Sequence, residues 1–220
     1  MELINLIVNK CKQFNFGGIV LDTGYIGLRV NEPIQIQFYK LLSNQLHSNS
    51  MKFILVQPAY IENAPLFTSR DFNSLYQFID YFSIMTYDSS QEIGANSPLQ
   101  WYVKTTFSYI QPDLRNNKTI TQKLMLGLPC YGYDYNNYGQ KQAILNNDYL
   151  KLLFKYKPKF EFEESTHEHK FKYNKEQEEH TVYYPTLKFY ADRIQIAEEL
   201  GTGLSFWEVG QGLHQFYDLF

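Results

Sequence analysis

Four short stretches carry the side chains that could do chemistry. The run from Phe82 to Asp88 (FSIMTYD) ends in the Tyr87 phenol beside the Asp88 carboxylate. The run from Ile19 to Asp22 ends in a lone carboxylate, and the run from Gly203 to Glu208 (GLSFWE) ends in the Trp207 indole and a further carboxylate. A fourth run, Leu124 to Leu128, leads into Pro129, Cys130, Tyr131 and Gly132. Each is a brief apolar or β-favouring segment closed by polar or turn-forming residues, the pattern of a buried strand. In parallel α/β folds the loops leaving strand C-termini aim side chains into a common crevice. Carboxylates, phenols and an indole gathered there suit binding of, or acid–base work on, a polar ligand. Glu208 alternates to the side of the strand opposite Trp207, so it is not a substitute acid.

Other features have plainer readings. Two histidines, His167 and His169, share one face of a predicted strand, but no further ligand lies near them in sequence and no zinc site follows. Cys11 falls in a helical pattern and Cys130 at a strand end, which makes two buried thiols the expectation rather than a disulfide or a metal pair. Nineteen tyrosines and 17 phenylalanines imply an aromatic core, with sugar stacking as the alternative use. A net charge of −3 argues against nucleic acid as a partner. No apolar stretch is long enough to span a membrane, and the first residues do not read as a signal peptide. Asn117-Lys118-Thr119 fits a glycosylation sequon, usable only in a secretory compartment. The charged run Lys175 to Glu179 reads as a solvated hairpin turn. No cofactor is implied.

The elements that must position these groups alternate between helix and strand. Leu3, Ile4, Ile7, Val8 and Cys11 follow helical spacing, Gly17-Gly18 breaks the helix, and the Asp22 strand follows. Pro33 starts a helix through Phe38, Leu41, Leu42 and Gln45, ahead of a second strand at Phe53 to Val56. Ser69 or Asp71 caps a helix carrying Phe72, Leu75 and Ile79, which leads into the Tyr87-Asp88 strand. Ser97-Pro98 is read as the N-cap and first turn of the next helix. After the Leu124 strand, a Tyr/Asn-rich segment to about Gly139 is expected to be a surface loop, followed by a helix from Asn147 to Tyr156. Residues 159–164, 170–173 and 181–184 alternate as an antiparallel excursion. Leu187, Tyr190, Ile194, Ala197 and Leu200 line one face of a last helix, with Gly201 as its C-cap.

Five strand–helix repeats with one antiparallel insertion predict a parallel α/β protein. Strands ending in functional residues favour part of an eight-stranded (β/α) barrel over a doubly wound sheet. A complete barrel needs ~250 residues, so residues 1–220 are expected to form one partial barrel domain, about strands 4 to 8, with the N-terminal strands missing. The edge of the strand at Ile19 to Leu21 then lacks its neighbours.

In order and spacing, Met85-Thr86-Tyr87-Asp88, the segment Gly127 to Gly132, and Phe206-Trp207-Glu208 resemble the last three strand ends of the glycoside hydrolase family 18 barrel, the chitinase fold. The closing segment Trp207 to Leu213, with Tyr217 to Leu219 and Tyr183 to Lys188, looks like a chitinase-like branch of that family, the chitinase domain-containing proteins. The family's acidic signature, alternating aspartates with a glutamate two residues beyond the last, falls on Phe16 to Gly24. Asp22 keeps the last aspartate, whereas the earlier two positions read Gly17 and Val20 and the glutamate position reads Gly24.

The resemblance implies substrate-assisted chemistry, in which the sugar's acetamido oxygen attacks while the enzyme supplies one proton donor. Such general acid catalysis contributes about 10²–10⁴-fold, and glycine cannot replace it. It implies a cleft in which Asp22, Tyr87 and Asp88 surround the acetamido group, Trp207 forms a stacking floor, and Met85 and Tyr131 line the wall. No catalytic residue is assigned. A lectin-like protein binding N-acetylglucosamine oligosaccharides is the first expectation. A hydrolase with a non-standard acid, or a scaffold for a protein partner, remain open. The branch also implies a secretory, lysosomal or extracellular location.

Overall fold

The computed structural model describes residues 1–23, 32–64, 66–90 and 92–220. Its elements begin α1 (Glu2–Gln13), β1 (Gly18–Asp22), α2 (Glu32–His47), β2 (Lys52–Pro58), α3 (Ser69–Leu75) and β3 (Tyr81–Met85). They continue with α4 (Leu99–Tyr109), α5 (Lys118–Thr121), β4 (Leu124–Pro129), β5 (Gly132–Asn136), β6 (Lys141–Ile144) and α6 (Asn146–Tyr156). The chain closes with β7 (Phe160–Glu163), β8 (Glu168–Lys175), β9 (Glu178–Tyr183), α7 (Leu187–Leu200) and β10 (Gly203–Trp207). One five-stranded sheet has the order β1-β2-β3-β4-β10 and the other the order β6-β5-β9-β8-β7. This is the expected α/β fold, a portion of a barrel with an antiparallel insertion.

Contacts divide the chain into two compact units. The first comprises Met1–Met85, Lys104–Met125 and Leu200–Gly203, and the second Thr86–Val103, Leu126–Glu199 and Leu204–Phe220. In the first unit β1, β2 and β3 pair in parallel, with Asp22 opposite Val56 and Pro58 opposite Met85. Along β2, Phe53, Leu55 and Gln57 are buried while Ile54, Val56 and Pro58 are half-buried. That period of two sorts one sheet face onto the helices and leaves the other to carry Val20, Asp22, Ser83 and Met85. Tyr39, Phe53, Phe67, Phe72, Phe82 and Tyr109 fill the core, as the aromatic composition implied.

Three local readings are corrected. The cap of α3 is Thr68, whose hydroxyl accepts from the Asp71 N–H while the Asp71 carboxylate accepts from the Thr68 N–H. This reciprocal box needs Thr68 at the N-cap and the carboxylate three residues on. The helix ends at Leu75, leaving Ile79 buried beyond it. Ser97 does not cap α4: its hydroxyl donates to the Thr86 carbonyl and meets the Tyr102 hydroxyl at 2.6 Å. The Tyr/Asn segment is no loop but a hairpin of β5 and β6, with Tyr133 opposite Ala143 and Tyr135 opposite Lys141. Only its tip is a turn, where Asn136 accepts from the N–H groups of Tyr138 and Gln140 and Gly139 takes φ 78°.

The second unit holds the whole antiparallel sheet. The run from Lys175 to Glu179 turns as expected, with Glu176 and Gln177 both at positive φ between the paired Lys175 and Glu178. Cys11 and Cys130 are buried free thiols. His167 and His169 do not share a strand face. His167 lies in the turn before β8 and bonds Asp192 at 3.0 Å, whereas His169 lies on β8 and bonds Thr186 at 3.0 Å. Gly132 begins β5 where a Cβ would stand 2.1 Å from the Tyr183 carbonyl oxygen and 2.8 Å from the Tyr184 Cα.

Gly132→Ala is expected to cost about 3 kcal/mol, because backbone cannot yield as a flexible side chain does; a urea unfolding curve that matches the parent would refute it. A second expectation concerns acid. Burial pushes the Asp80 carboxyl up, but hydrogen bonds from Lys52, the Phe53 N–H and His47 outweigh it and hold the group below its ordinary 3.8. A carboxyl depressed in the folded state stabilises fully above its unfolded value and loses that contribution as pH falls through the folded one. Asp80→Asn should therefore lower stability at neutral pH and flatten its decline below about pH 4, read by thermal melts across that range.

Candidate functional site

Each nominated residue lies at a strand C-terminus or just beyond it. In the first unit Asp22 ends β1, exposed, and Met85 ends β3, half-buried. Gly24 lies outside the described residues. In the second unit Tyr87, Asp88 and Tyr131 come together. Asp88 Oδ1 accepts hydrogen bonds from the hydroxyls of Tyr131 and Tyr133, each at 2.6 Å. The Tyr87 and Tyr131 rings meet edge to face with centroids 6.3 Å apart, and Tyr131 meets Tyr133 likewise at 5.7 Å. Trp207 is 54% exposed, and its carbonyl accepts from the Cys130 N–H at 2.7 Å. An indole left open to solvent at a strand end is available for stacking in a way that a core tryptophan is not.

The two phenols are held protonated. Burial, then the adjoining Asp88 carboxylate, pushes both Tyr131 and Tyr133 well above the usual tyrosine range. Burial also pushes Tyr135 up to about 12. The phenols therefore act as donors that fix one carboxylate oxygen, Oδ1 of Asp88. Tyr133 is the residue that the sequence reading missed. It stands two residues after Tyr131, and that spacing places both on one face once the segment is recognised as extended. Lys141 on β6 sits 4.6 Å from the centre of the Tyr133 ring and donates to the Ser90 carbonyl at 3.0 Å, bracing the same loop.

The backbone beneath Asp88 is strained and braced. Asp88 takes φ 63°, in the left-handed region, which costs a non-glycine residue roughly 1–2 kcal/mol. Its N–H donates to the Asn96 side-chain oxygen at 2.8 Å, and Ser89 N–H donates to the Asn96 carbonyl at 3.0 Å. Behind Asn96 lies a fully buried carboxylate, Glu168, which accepts from the N–H of Asn96 at 3.2 Å and of Ser97 at 2.6 Å. Arg193, also fully buried, approaches Glu168 to 3.8 Å and donates to the carbonyls of Ser97 at 2.6 Å, His167 at 3.0 Å and Thr166 at 3.1 Å. Burial pushes Glu168 up and Arg193 down from their ordinary values, opposed by their mutual attraction and, for Glu168, by the two backbone donors. Asn96, Glu168 and Arg193 thus tie the loop from Thr86 to Ser97 to β8 and α7. Sequence offered no signal for a pair so widely separated.

The glycosyl hydrolases family 18 profile matches residues 1–212. Among curated proteins, the uncharacterized glycosylase YvbX of Bacillus subtilis (strain 168) is 24% identical over 220 residues, covering 96% of this chain. The chain spans 62% of the length of that relative. Among solved structures, a chitinase from Chromobacterium violaceum superposes with a TM-score of 0.84 at 24% identity, covering 98% of this chain and 68% of that one. A family 18 chitinase from Cycas revoluta, solved in complex with (GlcNAc)3, superposes with a TM-score of 0.72 at 14% identity, covering 94% and 68%.

Glu168→Gln keeps the volume but faces an amide with a backbone N–H or the guanidinium, and breaking a buried pair on one side costs roughly 3–5 kcal/mol. The expected result is a urea midpoint lowered accordingly, with faster amide exchange at Asp88, Ser89 and Ser97 than in the β4 core. Unchanged exchange in that loop would mean that Glu168 does not hold it.

Proposed function

The chain belongs to glycosyl hydrolases family 18, and from that premise we propose that it is a chitinase-like protein that binds N-acetylglucosamine-type oligosaccharides without hydrolysing them. The observation that carries the binding half is Asp88, with one carboxylate oxygen fixed by Tyr131 and Tyr133 beside the edge of Tyr87. A carboxylate held in place by phenols and set among aromatic rings matches what an acetamido N–H and a pyranose ring present: a donor and an apolar face. Trp207 supplies a second aromatic surface by its exposure. Asp22 and Met85 are further ligand-binding candidates that the family resemblance implies.

The inactive half rests on Gly24, which occupies the position of the proton donor. Without a general acid the leaving oxygen must depart unprotonated, and about 10²–10⁴-fold is forgone. The groups that orient the acetamide do not depend on that proton, so recognition and turnover separate cleanly. Within the family, the segments Trp207 to Leu213 and Tyr183 to Lys188 favour the chitinase domain-containing branch, with the secretory or lysosomal location which that branch implies.

Calorimetric titration of chitooligosaccharides into the folded protein, with the same samples assayed for cleavage products, tests both halves. Binding without products is expected. Trp207→Ala should weaken binding by about tenfold or more, in line with the ~0.5–1.5 kcal/mol of an aromatic contact and the area it buries. Asp88→Asn should weaken it while the fold is kept. Products from the parent protein would make it an active hydrolase with another acid, and silence in both assays would favour a scaffold for a protein partner.

A further inference from the structure

The outward face of α6 carries a surface that the glycan reading does not use. Tyr149 and Tyr156 turn inward, Tyr149 stacking on Tyr184 at 3.8 Å and Tyr156 meeting Tyr173 at 4.4 Å. Leu150, Lys151, Phe154 and Lys155 occupy the opposite stripe, since residues three and four apart share a helix face. Phe154 is 84% exposed, the highest value among the large apolar side chains described, and Leu150 is 47% exposed. The helix ends at Lys157 in a left-handed turn, and Pro158, Lys159 and Phe160 follow at once, Phe160 being 42% exposed.

Charge singles out the same segment. Between Asn146 and Phe160 stand four lysines, Lys151, Lys155, Lys157 and Lys159, against one carboxylate, Asp148, in a chain whose net charge is −3. The Lys151–Asp148 ion pair at 3.0 Å is widely exposed and neutralises little. The carboxylates that follow on β7 lie elsewhere. Glu161 pairs in register with Lys170, whereas Phe160 pairs with Phe171 on the sheet face that α6 covers. A negative chain that carries a positive, apolar-studded segment meets an anionic surface favourably through that segment.

We propose that this face docks on an anionic phospholipid surface. The lysines meet the phosphate headgroups, and Phe154 with Leu150 enters the boundary between headgroup and acyl chain. Phe154 and Leu150 decide between lipid and a soluble polyanion: a hydrated polymer leaves both side chains in water, whereas a bilayer interface takes them up. The docking is peripheral, and among the described residues no helix is long and apolar enough to cross a membrane. It is independent of whether the strand ends bind sugar.

The test is co-sedimentation of the full chain with phosphatidylcholine vesicles and with vesicles of equal phosphatidylcholine and phosphatidylglycerol, alongside retention on immobilised heparin. Binding to the mixed vesicles and none to phosphatidylcholine is expected, weakening as added salt shortens the screening length. A lysine near an anionic surface is worth about fivefold, so Lys155→Glu with Lys157→Glu should lower vesicle affinity by at least about 25-fold. Phe154→Ser keeps every lysine and should lower it roughly tenfold. All three positions are solvated, and circular dichroism checks that the fold is retained. Equal binding to both vesicle types, no vesicle binding, or an affinity indifferent to Phe154→Ser would overturn the proposal. Retention on heparin without vesicle binding would assign the face to a soluble polyanion instead.

Discussion

A guanidinium and a carboxylate removed entirely from water persist only where the atoms around them replace what water supplied. Arg193 and Glu168 meet that demand largely through backbone: the carboxylate takes the N–H groups of Asn96 and Ser97, and the guanidinium takes the carbonyls of Ser97, Thr166 and His167. Arg193 also lies 3.7 Å from the centre of the Phe189 ring, and its Nε has no hydrogen-bond partner among the described residues. The consequence is geometric. Both charges hold main-chain atoms at Ser97, so the end of the loop that begins at Thr86 is fixed to the insertion and to α7. Tyr87 and Asp88 sit between those anchors, and their side chains inherit the rigidity of a pair of charges that have nowhere else to go.

Strands read well from sequence where the apolar run was short and bounded by polar or turn-forming residues. β2, β3, β4 and β10 all fall where their runs predicted, because burial on a sheet leaves a pattern that local composition already carries. The nominated site residues sit at or just beyond those strand ends for the same reason, since strand ends are where the run stops. The failures are long-range or hinge on one atom. Tyr133 and Tyr135 alternate with Asp134 and Asn136, and turn-forming residues disguised the strand until β9 supplied its partner at Tyr183 to His180. Thr68 and Ser97 are both hydroxyl residues preceding helices. Thr68 caps because Asp71 answers it three residues on; Ser97 does not because Thr86 and Tyr102 claim its hydroxyl. Glu168 was passed over between two histidines, and its partner lies 25 residues later in a helix whose apolar face gave no hint of a buried arginine.

Two positions differ in what the sequence keeps there, a carboxylate at Asp88 and a glycine at Gly24. At Asp88 the chain keeps a carboxylate in a left-handed conformation that a glycine would adopt without strain. Asn96 offsets part of that strain by accepting the Asp88 N–H, and two phenols then aim the carboxylate. At Gly24 the sequence has a glycine where relatives of the resembled family carry an acid. The strain at Asp88 and the bonds that offset it come from groups of its own unit, so the turn and the aim of the carboxylate rest on one set of contacts. Binding without turnover, as proposed, draws on the difference in demand: groups that would orient a ligand through Asp88 need no proton donor, whereas general acid catalysis needs one particular side chain.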